Sequence, residues 1–309
     1  LVRRPDAPPD LPPASLEPLR SCRRPAVRSV AATLRRPTFE WLTVTLLCVS
    51  LAVLAAMEGW LWRIDQSVYD SVLATWTHPP GDDVVIISID DASLSEIGRW
   101  PWSRRTHAAL IDHARDAGAS AVVLDVLLDT PSHDDAEADR ALAQSMQAYG
   151  RVILPLTQAT TGTQLTGEVL PLPLFAQSAA AIGHSQVAFD TDGIARSVYL
   201  WEGFGAARLR LVAPAAARNY PPPPVGEGLD HQQWQRAQWL RMPFSGPPGT
   251  YPHYSYRAVL AGEVPAEALR GKVLLVGATA SGMADAVPTP ASGLSRPMPG
   301  VELQANIFD

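Results

Sequence analysis

The sequence predicts an α/β fold: a mostly parallel sheet with helices on both faces plus an antiparallel hairpin, preceded by one transmembrane helix. Three observations predict it. An uncharged apolar run lies near the N-terminus, short β-branched runs alternate with amphipathic stretches in the middle, and a turn sequence separates two strand-like runs further on.

Residues 1–40 are rich in Pro and Arg, with eight arginines against four acids, and their composition predicts a disordered tail. From Trp41 to Met57 there is no charge, and the aromatic pair Trp60 and Trp62 follows. Trp41 to Trp62 would span roughly 33 Å as a helix, against about 30 Å of hydrocarbon. The segment 41–62 is therefore expected to be an uncleaved signal-anchor, since no Ala-x-Ala site lies near Ala55-Ala56 and Pro37 spoils a twin-arginine signal. With the arginines all preceding it, the positive-inside rule places the N-terminus in the cytoplasm and residues 63–309 outside. Next, Ile64, Val68, Val72 and Leu73 have helical spacing, and predict a rigid helix continuing from the membrane into the domain.

Strands are then expected at Val84–Ile89, Ala121–Leu127 and Arg151–Leu156, with helices over 104–117 and 134–149 between them, the signature of a parallel sheet. Asp190-Thr191-Asp192-Gly193 breaks two strand-like runs and predicts a hairpin. Pro221 to Pro224 marks a polyproline loop, while QWLRMPF and GKVLLVGA predict two more strands, Lys272 to Val276 being central in the sheet. A last helix starts at PGVELQANIFD. The ending within it, and Leu1 in place of Met, suggest a fragment or a non-standard start.

The bulk numbers remove several functions. The net charge is −6 over 309 residues, with the basic excess confined to the first forty, so the body carries no nucleic-acid footprint. Cys22 and Cys48 both lie outside the body, which leaves it no disulfide framework and no thiol chemistry. The histidines lack ligand spacing, so neither a metal site nor a cofactor is expected. GATASG, Gly277 to Gly282, lacks the order of a phosphate loop, and Lys272 precedes the strand. A tight strand exit is the plainer reading of Gly277.

The main candidates follow the first strand. Asp90 and Asp91 fall where open α/β sheets bind ligands, and Asp125, with Asp129 just after it, ends the next strand. Three readings stay open: a structural one in which Asp90 caps the following turn and Arg99, Arg104 or Arg105 neutralises the pair, contact with a ligand, or catalysis with a divalent ion. Two arginines at a helix start oppose the helix dipole and need an anionic partner, for which the neighbouring aspartates are the nearest choice. Asp134, Asp135 and Glu137 suit a helix's first turn without any further role. In Trp100-Pro101-Trp102-Ser103, Ser103 is a good N-cap and the tryptophans are expected to lid the core.

The runs IDDASLSEIGRWPWSRRTHAALIDHARDAGASAVVLDVLL, FDTDGIARSV, FSGPPGTYPHYSYRAVLAGEVPAEALRGKVLLVGATA and PMPGVELQAN together resemble the type-2 CHASE domain, a sensory extracellular domain of bacterial transmembrane receptors. The resemblance covers roughly Ile64 to Asp309. It implies a non-enzymatic periplasmic sensor in the inner membrane, set between the N-terminal anchor and further spanning helices downstream, with an unknown small-molecule or protein ligand; signalling across a membrane makes a homodimer the expected state. Its cytoplasmic output would be a histidine kinase, a nucleotide cyclase or a Ser/Thr kinase. The motif positions it carries over are Asp90, Asp91, Trp100, Pro101, Arg104, Asp125, Asp192, Gly193, Arg196, Gly277, Pro299, Gly300, Glu302 and Asn306. Of these Asp90, Asp91, Trp100, Arg104, Asp125, Asp192, Arg196 and Gly277 are the candidates for ligand binding or signalling. Gln304 stands where the family pattern has histidine. The rival from another class is a membrane-anchored periplasmic hydrolase holding a metal in the acidic cluster.

Overall fold

The computed structural model describes residues 30–59, 61–75, 78–132, 135–161, 164–215, 233–283 and 286–309. The predicted polyproline loop at 221–224, His133, Asp134 and Trp60 lie outside them. The chain divides into two units, the first ending at Ile64 and the second running from Asp65 to Asp309. In the first, α1 (Val30–Met57) contains Thr38–Met57, 20 residues of mean hydropathy 2.0. Among the described residues it is the one helix long and apolar enough to cross a membrane. It begins at Val30, eleven residues ahead of the apolar run, because the Ala, Leu and Arg residues before Pro37 favour helix.

At Gly59 the backbone turns to φ 68°, which glycine adopts without a Cβ penalty, and a separate helix, α2 (Trp62–Thr75), follows. The single rod expected from the sequence is thus two helices. Next come β1 (Val84–Ile89), α3 (Asp91–Ile97), α4 (Arg104–Ala117), β2 (Ala121–Leu124), α5 (Ala136–Tyr149), β3 (Val152–Thr161), β4 (Gln164–Val169), α6 (Pro173–Ser178) and β5 (Ala181–His184). A smaller sheet follows, β6 (Ala188–Phe189), β7 (Ala195–Phe204), β8 (Leu209–Arg210) and, after α7 (Val212–Ala215), β9 (Trp234–Arg241). The chain returns through β10 (His253–Ser255), α8 (Tyr256–Leu260), α9 (Ala266–Leu269) and β11 (Val273–Ala278), then the hairpin β12 (Ala286–Thr289) and β13 (Gly293–Pro299), and α10 (Gly300–Phe308).

The main sheet is parallel in the order β10, β1, β11, β2, β3, β5, with β4 folded back antiparallel on β3. As the sequence predicts, β11 is central, between β1 and β2. Period-two alternation splits its side chains between two layers. Val85, Ile87 and Ile89 pack with Leu110 and Ile111 of α4 and Leu142 of α5, whereas Val84 and Ile86 pack with Val301 and Ala305 of α10. Helices cover both faces. The hairpin at Asp190–Gly193 joins β6 to β7 with Gly193 at φ 78°. Several boundaries differ from expectation: β2 ends at Leu124, α5 starts at Ala136, β3 runs on to Thr161, where β4 pairs with it, and β9 spans Trp234–Arg241 instead of reaching Phe244.

Candidate functional site

Asp90 follows the last residue of β1 and caps α3. Its Oδ1 accepts from Ser93 N at 2.8 Å, Ser93 Oγ at 2.6 Å and Ser255 Oγ at 2.9 Å. Burial alone would raise its pKa, but the bonds from Ser93 and Ser255 outweigh burial and hold the carboxyl below its usual 3.8. Asp91, exposed, accepts from Ser281 N at 3.2 Å and Ser281 Oγ at 3.3 Å.

The expected pairing of these aspartates with the arginines of α4 is corrected. Arg105 binds Asp135, Nε to Oδ2 at 2.9 Å, and Arg104 lies 3.7 Å from Asp139, a buried residue on α5. The reason is geometric, since α4 packs alongside α5 and its first turn meets that helix's start. Asp135, expected within the helix's first turn, is instead the N-cap of α5, accepting from Ala138 N at 3.0 Å. Nor does the acidic cluster assemble. With β11 between β1 and β2, two strand spacings, about 10 Å, separate the strand that Asp125 follows from the one that Asp90 follows. Among the described residues no three His, Cys, Asp or Glu side chains are placed to hold a metal ion.

Trp100 and Trp102 do lid the core. Their rings meet edge to face at 5.3 Å, Trp102 also meets Tyr256 edge to face at 4.9 Å, and its Nε1 donates to Gly98 O at 2.8 Å. Beneath them His107 is fully buried, its Nδ1 2.9 Å from Tyr256 Oη. Ser103 caps α4, accepting from Arg105 N at 3.3 Å.

Beside Asp90, on the β1 face covered by α10, lies a cavity of about 510 Å³. Ile86, Ser88 and Asp90 form its floor, and Gly249, Arg296 and Glu302 contribute to its walls. The final motif builds one wall. Glu302 Oε1 accepts from Gly249 N at 2.7 Å and Thr250 N at 3.0 Å, and Asn306 Oδ1 accepts from Ser245 N at 2.9 Å. One turn apart on α10, the two side chains therefore hold the 245–250 segment. Gln304, midway between them in sequence but turned to another face of the helix, is also buried, its Oε1 without a partner among the described residues. Gly277 is a close approach rather than a cradle. It pairs with Ser88, and a Cβ there would stand 2.7 Å from Val301 Cβ, so only glycine lets α10 lie this near β11.

The strongest electrostatic feature is elsewhere. Arg196 on β7 is 2% exposed and meets three carboxylates. It grips Asp70 of α2 bidentately, Nε to Oδ1 at 2.8 Å and Nη2 to Oδ2 at 2.7 Å, and also binds Asp190 at 2.8 Å and Asp192 at 3.0 and 2.9 Å. The guanidinium holds Asp192 below the usual carboxylate range, and its own pKa is pushed up. Next to it Arg241 of β9 lies 3.9 Å over the Tyr69 ring. Gln66 and Leu73 complete this inward face of α2, while Ile64, Val68 and Val72 are 63, 59 and 48% exposed. The apolar spacing noted in the sequence thus marks mainly the outward face, because the inward partner is a buried cation.

Of the sequence candidates, the structure joins Asp192 to Arg196 and puts Asp90 at the cavity; Asp91, Trp100, Arg104 and Asp125 line neither. Asp70 was missed, although Gln66, Tyr69, Asp70 and Leu73 share one helical face in the sequence. Comparison with curated proteins and with solved structures finds no match. A family model described as CHASE2 domain matches residues 44–309, starting within α1 and spanning every strand. The order of the motifs, the parallel sheet that carries them and this match agree: the chain belongs to the CHASE2 family of sensory extracellular domains of receptors.

Proposed function

We propose that this chain is the extracytoplasmic input domain of a bacterial inner-membrane receptor, with its N-terminus in the cytoplasm and residues 63–309 in the periplasm. It controls a cytoplasmic histidine kinase, nucleotide cyclase or Ser/Thr kinase and has no catalytic role itself. One observation carries this reading: α2, which follows the apolar helix directly in sequence, is held to the sensor body by a buried arginine with three carboxylates. An enzyme needs no such clamp on its anchor, whereas a sensor needs a two-state contact that a distant event can bias.

The receptor acts as a homodimer through the outward face of α2. Ile64, Val68 and Val72 recur every four residues and carry no charge, and a shared membrane would confine two copies to the same orientation. The test uses a full chain with Cys22 and Cys48 replaced by Ser, in native membranes. Val68→Cys should form a disulfide-linked dimer, and Arg196→Met should change its rate of formation. A membrane-impermeant maleimide should label Ser281→Cys from the periplasmic side. Protection of that site in intact cells would overturn the orientation, and a crosslinking rate indifferent to Arg196 would overturn the signalling role.

A further inference from the structure

The cavity beside β1 contains opposite charges that the protein leaves uncompensated. Asp90 spends Oδ1 on all three of its side-chain hydrogen bonds, and Oδ2 has no partner among the described residues. Its lowered pKa keeps it ionised at neutral pH. Arg296, on β13, is exposed and has no carboxylate partner among the described residues. Glu302 uses Oε1 for two backbone N–H groups and leaves Oε2 unbonded among the described residues. Ser88, Thr279 and Ser281 add hydroxyls to the lining. About 510 Å³ falls within the ~300–1,000 Å³ usual for small-molecule sites.

These groups select among ligands. An apolar molecule would strip water from Asp90 and Arg296 and return no hydrogen bond, at the desolvation cost of each. A dianion such as phosphate would meet two carboxylates for one guanidinium. We propose that the cavity binds a free amino acid, its α-ammonium on Asp90 Oδ2 and its α-carboxylate on Arg296, where the guanidinium fork matches two oxygens. Glu302 makes the lining net negative by one charge, so a second cation on the ligand's side chain strengthens binding and a second anion weakens it. This deepens the sensor reading and rests on it for the meaning of the bound state. Occupancy would press on the wall formed by α10, whose Leu303 packs in the same cluster as Leu73 of α2.

The experiment is calorimetric titration and thermal unfolding of the full chain in lipid nanodiscs, with lysine, alanine, glutamate, Nα-acetyl-lysine and lysinamide as probes. Lysine should bind more tightly than alanine, and alanine more tightly than glutamate. Acetylating the α-amine or amidating the carboxylate should each weaken binding about tenfold or more, the value of one charge-assisted bond. Asp90→Asn keeps the α3 cap and should erase the discrimination against Nα-acetyl-lysine. Arg296→Gln, at an exposed site, should erase the discrimination against lysinamide. Absence of heat and of thermal shift with each of the twenty common amino acids at millimolar concentration would overturn the proposal. Binding unchanged in both variants would overturn it equally. Neither result touches the crosslinking test of the sensor reading, which is read without any ligand.

Discussion

Replacing Arg196 with Met tests the hub directly. The substitution preserves much of the buried volume while removing five hydrogen bonds of 2.7 to 3.0 Å. It leaves three carboxylates facing one another with side chains 23, 30 and 25% exposed. Breaking a buried pair costs about 3–5 kcal/mol, and partial access to water moves this case to about 3 kcal/mol. Asp70→Asn keeps two of the ion pairs and the side-chain shape, so it should cost only about 1 kcal/mol. In the double variant the neutral amide relieves repulsion among the remaining aspartates, and the loss should fall short of the sum by about 1 kcal/mol. The assay is urea unfolding of the full chain in detergent, followed by tryptophan fluorescence, with the midpoint shifted at constant slope. For a body of this size the Arg196→Met loss corresponds to a melting temperature lower by roughly 6–12 °C. A loss below about 1 kcal/mol, or an additive cycle, would refute the view that Arg196 is the clamp on α2.

Other consequences can be checked separately. Gly277→Ala puts a Cβ against Val301 and should destabilise by about 1–3 kcal/mol, with Val301→Ala in the same chain recovering part of it; a neutral Gly277→Ala would deny the close approach. Asp90→Ala should cost about 0.5–2 kcal/mol as a lost cap, and Asp90→Asn much less, as denaturation midpoints would report. Burial, with help from Arg104, pushes His107 down to about 3, and burial, with Arg236, pushes His184 down to about 4. Below pH 6.5 the unfolded chain protonates both rings while the native one keeps them neutral. Stability should therefore be steady above that pH and fall as pH drops from 6.5 towards 4, by up to ~1.4 kcal/mol per unit for each histidine. Melting temperatures flat from pH 7 to 4.5 would contradict this.

The sheet was legible because burial on both faces demands unbroken β-branched runs, and VVIISI and VLLVGA supply them. The Asp190–Gly193 hairpin, the Ser103 cap and the tryptophan lid were legible for the same local reason, that side chain and backbone settle them within a few residues. What escaped was set by distant parts of the chain. Arg104 and Arg105 could not be matched to Asp139 and Asp135 from spacing alone, since that pairing depends on how α4 and α5 pack. On α2, the rule that apolar residues point inward failed because β7 offers a guanidinium, which made Asp70 the inward residue and Val68 the outward one. The helix Asp91–Ile97 was overlooked at only two turns, too short for its periodicity to show. Asp90 caps the following turn, as the sequence allows, but Ser93 and Ser255 rather than an arginine satisfy it, with one oxygen to spare.

The place of β11 governs how this domain can form at all. Val273 pairs with Val84, 189 positions earlier, and with Ala121 on its other side. Until that late segment arrives, β1 with β10 and β2 with β3 and β5 are two half-sheets with open apolar edges, each a template for pairing with the wrong chain. Contacts so distant in sequence slow folding, because a long loop must close before any of its pairs is gained. Truncation ahead of residue 273 should thus yield an aggregating polypeptide rather than a smaller folded domain. The arrangement also makes the sensor body an all-or-none unit: both cavity walls and the Arg196 hub mature only once the main sheet's last strand is threaded between its first two.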